Sequence, residues 1–181
     1  MNKVNWNEVK ETAGFERPTP GGYIAKIVGV TDLEDKQYLK IEWDFAEGSF
    51  KGHYQELFDA KGFWAGSFVR SYKETALGFF KAFKTSVEES NKGYTFDYSN
   101  PRALSGKLVG IVLGEEEYQK RDGSIKKRLY VSQTRSIGAI QKGDFEVPAF
   151  KPLQEKSNTP IYAVPTTPEF EDSDDPETLP F

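Results

Sequence analysis

From Gln37 to Ala46 every second residue is apolar. Leu39, Ile41, Trp43 and Phe45 fall on one face, and Tyr38, Lys40, Glu42 and Asp44 on the other. This period of two marks a strand buried on one side and places Trp43 in a core. The same reading gives a strand over Gly22–Val30, where Gly29 signals a bulge or bend, and a third over His53–Phe58. The period then changes once. Across Ser71–Ser90, Ala76, Phe79, Phe80, Phe83 and Val87 recur at helical spacing, with Ser71 and Glu74 at the separation of a capping box and a stop near Asn91–Gly93. Alternation then resumes through Val109, Ile111 and Leu113. An Asp122-Gly123 turn follows, and a return strand carries Leu129 and Val131 inward.

The predicted order is β-β-β-α-β-β: all-β with one helix, the order of a five-stranded OB-fold barrel with its helix between the third and fourth strands. Residues 1–20 form an N-terminal segment, 21–153 the barrel domain and 154–181 a tail. That tail has too few apolar groups to offset its ordering entropy and is expected to be disordered. A chain of 181 residues suits one such domain.

Chemistry is constrained next. The chain has no cysteine and a single histidine, His53, so thiolate nucleophiles and multi-histidine metal centres are excluded. His53 has no accompanying nucleophile motif and reads as structural. No phosphate-cradling glycine motif is present, because Ser105-Gly106-Lys107 lacks its upstream glycine. The Glu115–Glu117 run reads as a solvated strand edge. No enzyme, cofactor or metal is expected. With no apolar run near the ~20 residues of a membrane span and no signal core, the expected location is the cytoplasm.

Binding chemistry is better represented. Lys120, Arg121, Lys126, Lys127, Arg128 and Arg135 cluster around the predicted hairpin against one acid, Asp122, with Tyr130 among them. A basic groove with aromatic platforms is what single-stranded nucleic acid requires. Tyr38, Lys40 and Tyr54 on the strands, and Phe63, Trp64 and Arg70 in the loop after the third strand, extend the candidate surface. Asp32, Glu34 and Asp35 in the first loop would repel phosphate. The chain's net charge is −4, yet Glu169–Phe181 holds six acids and no base, so the rest is +2. That tail ends in Leu179, Pro180 and Phe181 after Asp172, Asp174 and Asp175. A mobile acidic strand with a terminal ring beside a free carboxylate suits an apolar pocket ringed by cations on another protein. It also suits the chain's own basic groove, as a stand-in for DNA.

The tail, with Asp172, Asp174, Asp175, Pro180 and Phe181, resembles that of single-stranded DNA-binding proteins, which close on an acidic run and Pro-Phe. Leu179 stands where that family has an aliphatic residue; Pro176 and Thr178 interrupt the acids. The body, in the runs FVRSYKETALGFFKAF, SNKGYTFD, LVGIVLGEEEY and GDFEVP, is similar to phage- and prophage-encoded members from Gram-positive hosts over roughly 62–148. The resemblance implies sequence-tolerant coating of single-stranded DNA in phage-type replication and recombination. It also implies recruitment of replication and recombination proteins through the tail, in the bacterial host's cytoplasm. The alternative is an OB-fold adaptor between proteins with weak DNA binding. Oligomeric state, including a homo-oligomer, is left open.

Overall fold

The computed structural model describes residues 16–153. Five antiparallel strands, β1 (Gly21–Leu33), β2 (Tyr38–Phe45), β3 (Ser67–Ser71), β4 (Leu108–Gln119) and β5 (Ile125–Arg135), form one sheet in the order β3-β2-β1-β4-β5. Three α-helices accompany it: α1 (His53–Lys61), α2 (Leu77–Ser90) and α3 (Ile137–Lys142). Short 3₁₀ turns cover Glu34–Lys36, Glu74–Ala76 and Pro101–Leu104.

β1 serves two partners. Its first half, Gly21–Lys26, pairs with β4, and Ala25–Leu33 pairs with β2. The register shifts between Ile27 and Gly29, so the bulge expected near Gly29 is present and turns the strand between its partners. Among the described residues no pairing joins β3 to β5, so the sheet is open there. Helix α2 packs against β3, β4 and β5.

The alternation on β2 and β4 is realised. Leu39, Ile41, Trp43, Phe45, Val109, Ile111 and Leu113 are buried, as are Ala25 and Ile27 of β1, Phe68 of β3 and Phe80, Phe83 and Val87 of α2. Leu129 and Val131 pack against this core from β5, as expected. Val112 is buried on the opposite face of β4. There α3 packs on β4, and Ile140 lies so close to Gly110 that a Cβ there would fall 2.5 Å from its Cγ1.

The sequence predicts one helix and three α-helices form, α3 with no counterpart in that prediction; the third strand and the start of α2 differ as well. The third strand is not His53–Phe58, which forms the first part of α1. Tyr54, Leu57 and Phe58 stand at the i, i+3, i+4 spacing of a helix face. The deciding partner lies upstream: the buried Asp44 accepts hydrogen bonds from the backbone N–H of Tyr54 through Oδ1 (3.0 Å) and of Gln55 through Oδ2 (3.0 Å). A carboxylate on β2 thus occupies donors at the helix N-terminus that have no partner within the helix. β3 instead begins after Gly66, whose carbonyl accepts from Trp43 N–H at 2.8 Å.

The capping box at Ser71 and Glu74 does not form. Ser71 remains in β3 opposite Tyr38; its Oγ donates to the Gln37 carbonyl and accepts from Lys73 N–H, both at 3.2 Å. Sheet pairing overrides the local signal, and α2 begins six residues later at Leu77. Its end at Ser90 with Asn91 as the cap matches the expectation. Phe79, placed in the apolar stripe by spacing, is 72% exposed. Phe80, Phe83 and Val87 form the buried line, and Phe79 is turned by about 100° from Phe80.

Candidate nucleic-acid interface

The β4–β5 hairpin closes where the Asp-Gly signal lies. Asp122 Oδ1 accepts from the N–H (2.8 Å) and hydroxyl (2.6 Å) of Ser124, and Gly123 takes φ 85°. Together these bonds hold the Asp122 carboxyl below the usual aspartate range. The turn fixes the register: Glu116 opposes Arg128, Glu117 opposes Lys127 and Tyr118 opposes Lys126.

This register corrects the charge balance read from sequence. The hairpin cations face more than Asp122, and Glu115–Glu117 is no solvated edge. Arg128 Nε donates to Glu116 Oε1 at 2.8 Å. Arg17 donates to the Lys127 carbonyl (2.9 Å) and lies 3.7 Å from Glu115. The free side of this part of β4 is covered by the C-terminal segment. Lys151 N–H donates to the Glu115 carbonyl (3.1 Å), Glu117 N–H donates to the Lys151 carbonyl (2.9 Å), and Glu117 Oε2 accepts from Leu153 N–H (3.0 Å).

The same geometry interleaves cations and rings. Arg128 Cζ lies 5.1 Å from the Tyr118 ring centre, Lys127 Nζ 4.7 Å from that of Phe150, and Lys151 Nζ 4.4 Å from that of Tyr130. Lys126, Lys127, Arg128, Phe150 and Lys151 are exposed. Tyr130 is only partly so: it lies against Gly114, where Pro148 also approaches, and its buried hydroxyl has no hydrogen-bond partner among the described residues. By register Arg128, Tyr118, Tyr130 and Lys151 belong to one face of the hairpin and Lys127 with Phe150 to the other, so each face offers cations for phosphate and a ring for a base.

The remaining candidates lie outside these cation–ring pairs. Arg121 is exposed at the hairpin tip beside Lys120, whose N–H donates to the Ser124 carbonyl at 2.9 Å. Arg135, at the far end of β5, lines a cleft of about 510 Å³ with Asp144, Phe145 and Glu146. Tyr38 is buried, not presented on the outer face of β2. Lys40 lies 3.5 Å from Glu42 on its own strand.

Tyr54 sits on α1, not on a strand, with its ring centre 5.5 Å from that of Phe45 and 5.0 Å from that of Trp43. Burial, with Asp44 nearby, pushes its hydroxyl up to about 12. Phe63 and Trp64 precede β3, and Trp64 Nε1 donates to the Gly66 carbonyl at 2.9 Å. Arg70 shares the inward face of Leu39; its Cζ is 4.5 Å from the Phe68 ring centre and its Nη1 donates to the Val69 carbonyl. Burial lowers this guanidinium to about 10, so it is still charged at neutral pH.

Tyr118, Phe150 and Lys151 escaped the sequence reading. Tyr118 could have been found by counting back symmetrically from Asp122-Gly123. Nothing local marks the other two, which reach the hairpin through a long-range backbone pairing. Asp172, Asp174, Asp175, Leu179, Pro180 and Phe181 lie outside the described residues.

Among the described residues, no group of three or more acidic or histidine side chains is placed to hold a metal, and no helix is long and apolar enough to cross a membrane. No protein-family model matches the chain, and no curated protein matches it in sequence.

Proposed function

We propose that this chain is a phage-type single-stranded DNA-binding protein that coats DNA with little sequence preference during replication and recombination. The observation that carries the reading is the set of three cation–ring pairs, Arg128 with Tyr118, Lys127 with Phe150 and Lys151 with Tyr130, on one hairpin and the segment paired to it. Stacking on such rings contributes about 1–3 kcal/mol per base without regard to sequence. An OB-type barrel is supported by the strand order, by β1 serving both β2 and β4, and by α2 lying between β3 and β4 in the chain.

Recruitment of partner proteins by the acidic tail completes the proposal. Leu153 is bound to β4, so the chain enters the tail beside the hairpin cations. A tethered acidic segment there competes with DNA at millimolar effective concentration.

Photocross-linking tests the location. Oligo-dT carrying 5-iododeoxyuridine should attach to Tyr118, Tyr130 or Phe150. Attachment only on β2, α1 or the loop before β3 would move the interface away from the hairpin.

The adaptor reading has one observation in its favour: Glu116 already holds Arg128, which reduces the charge available to phosphate.

A further inference from the structure

At the end of the sheet away from the β4–β5 turn, a cleft of about 470 Å³ opens between the end of β1, the start of α2 and the segment around Phe96 and Tyr98. Four of its rings form a continuous edge-to-face row. Tyr72 meets Phe80 at 6.3 Å, Phe80 meets Phe96 at 5.6 Å, and Phe96 meets Tyr98 at 5.0 Å. Leu39, Phe80 and Phe96 are buried and form the floor, whereas Leu77 and Tyr98 stand 48% and 69% exposed at the rim. The Tyr72 hydroxyl donates to Asp32 Oδ1 at 3.0 Å, tying one wall to the end of β1.

We propose that this cleft docks a segment of another protein that presents an apolar side chain flanked by Lys or Arg. The floor and rings give the apolar group a site in which to leave water. The charge at the mouth selects the flanks. Asp32 and Glu34 line it and Asp35 adjoins them, and an added cation gains both their field and the quadrupole of the exposed Tyr98 ring. Nearby cations do not reverse that sign: Lys84 is held by Glu88 at 2.8 Å, and Lys36, Lys73 and Arg102 are outnumbered by Asp32, Glu34, Asp35, Glu74 and Asp97. The same carboxylates repel phosphate and the chain's own acidic tail, so the cleft is a second surface, independent of the DNA reading.

The test uses ¹⁵N-labelled full-length protein titrated with the peptide acetyl-Lys-Lys-Leu-Trp-Lys-Lys-amide, and with the same peptide carrying Glu for every Lys. Amide shifts should cluster at Asp32, Glu34, Leu77 and Tyr98 with the basic peptide and be absent with the acidic one. Glu34→Lys and Leu77→Asp, both exposed positions, should each weaken peptide binding at least fivefold without changing oligo-dT binding.

Shifts confined to the acids of Glu169–Phe181, no shifts at all, or indifference to Leu77→Asp would overturn the proposal. Concentration-dependent broadening of cleft signals without peptide, abolished by Leu77→Asp, would assign the cleft to a second copy of the chain and equally overturn it.

Discussion

Arg128 Nε and Glu116 Oε1 lie 2.8 Å apart across the β4–β5 ladder, with Arg128 also over the Tyr118 ring. This cation is held in place and partly neutralised before any ligand arrives. Glu116→Gln removes the competing charge, and the expected result is a two- to fivefold tighter Kd for oligo-dT at low salt. Stability should change little, about 0–1 kcal/mol, because exposed pairs are weak. The opposite change, Lys126, Lys127 and Arg128 together to Ala, should flatten the salt dependence of binding by about 2 in log–log slope. If neither variant moves the affinity, phosphate binds elsewhere.

Asp44 bonds to Tyr54 and Gln55 hold α1 against β2. Asp44→Ala leaves those N–H groups and that of Phe45 without their acceptor, at a cost of about 2–3 kcal/mol read as a lower Tm. Burial first and the Asp44 charge second raise the Tyr54 hydroxyl, so alkaline absorbance titration of the variant should show a tyrosine shifted down from about 12 yet still above the ordinary value. An unchanged Tm and titration would show that α1 does not depend on this cap.

Acid should act through Glu88. Hydrogen bonds from Lys84 Nζ and Phe96 N–H, each 2.8 Å, hold its carboxyl below the usual glutamate range. A depressed folded value means that its stabilising contribution is complete above the unfolded value and fades as pH falls through the folded one. The Tm of the native chain should therefore drop, as pH falls below the ordinary glutamate value of about 4.3, more steeply than that of Glu88→Gln. Equal slopes would remove Glu88 from the account.

Deleting Glu169–Phe181 removes six acids from the end of a chain that leaves β4 beside the hairpin. Oligo-dT binding should tighten at low salt, with the difference shrinking as salt screens both competitors. Equal affinity at low salt would rule out competition between tail and DNA.

Much of the sheet could be read from the sequence, because the apolar run of β1 with its Gly29, the alternation in β2 and β4 and the Asp122-Gly123 turn are local signals that tertiary structure reinforces. The failures are non-local. His53–Phe58 becomes a helix through a carboxylate on β2, and Ser67–Ser71 becomes a strand by pairing with Tyr38–Glu42. At the candidate site, the cations of Lys126–Arg128 were visible in sequence, but the acids opposing them require the register. Phe150 and Lys151 required the backbone pairing of Lys151 with β4. Tyr38 looked like an outward platform because alternation assigns a face without showing what covers it.

Preference for single strands is read from fluorescence anisotropy of labelled oligo-dT with the full-length protein at low salt, competed by unlabelled duplex. Saturable binding that duplex does not displace is the expected result. Absence of binding, or displacement by duplex as effective as by unlabelled oligo-dT, would contradict it.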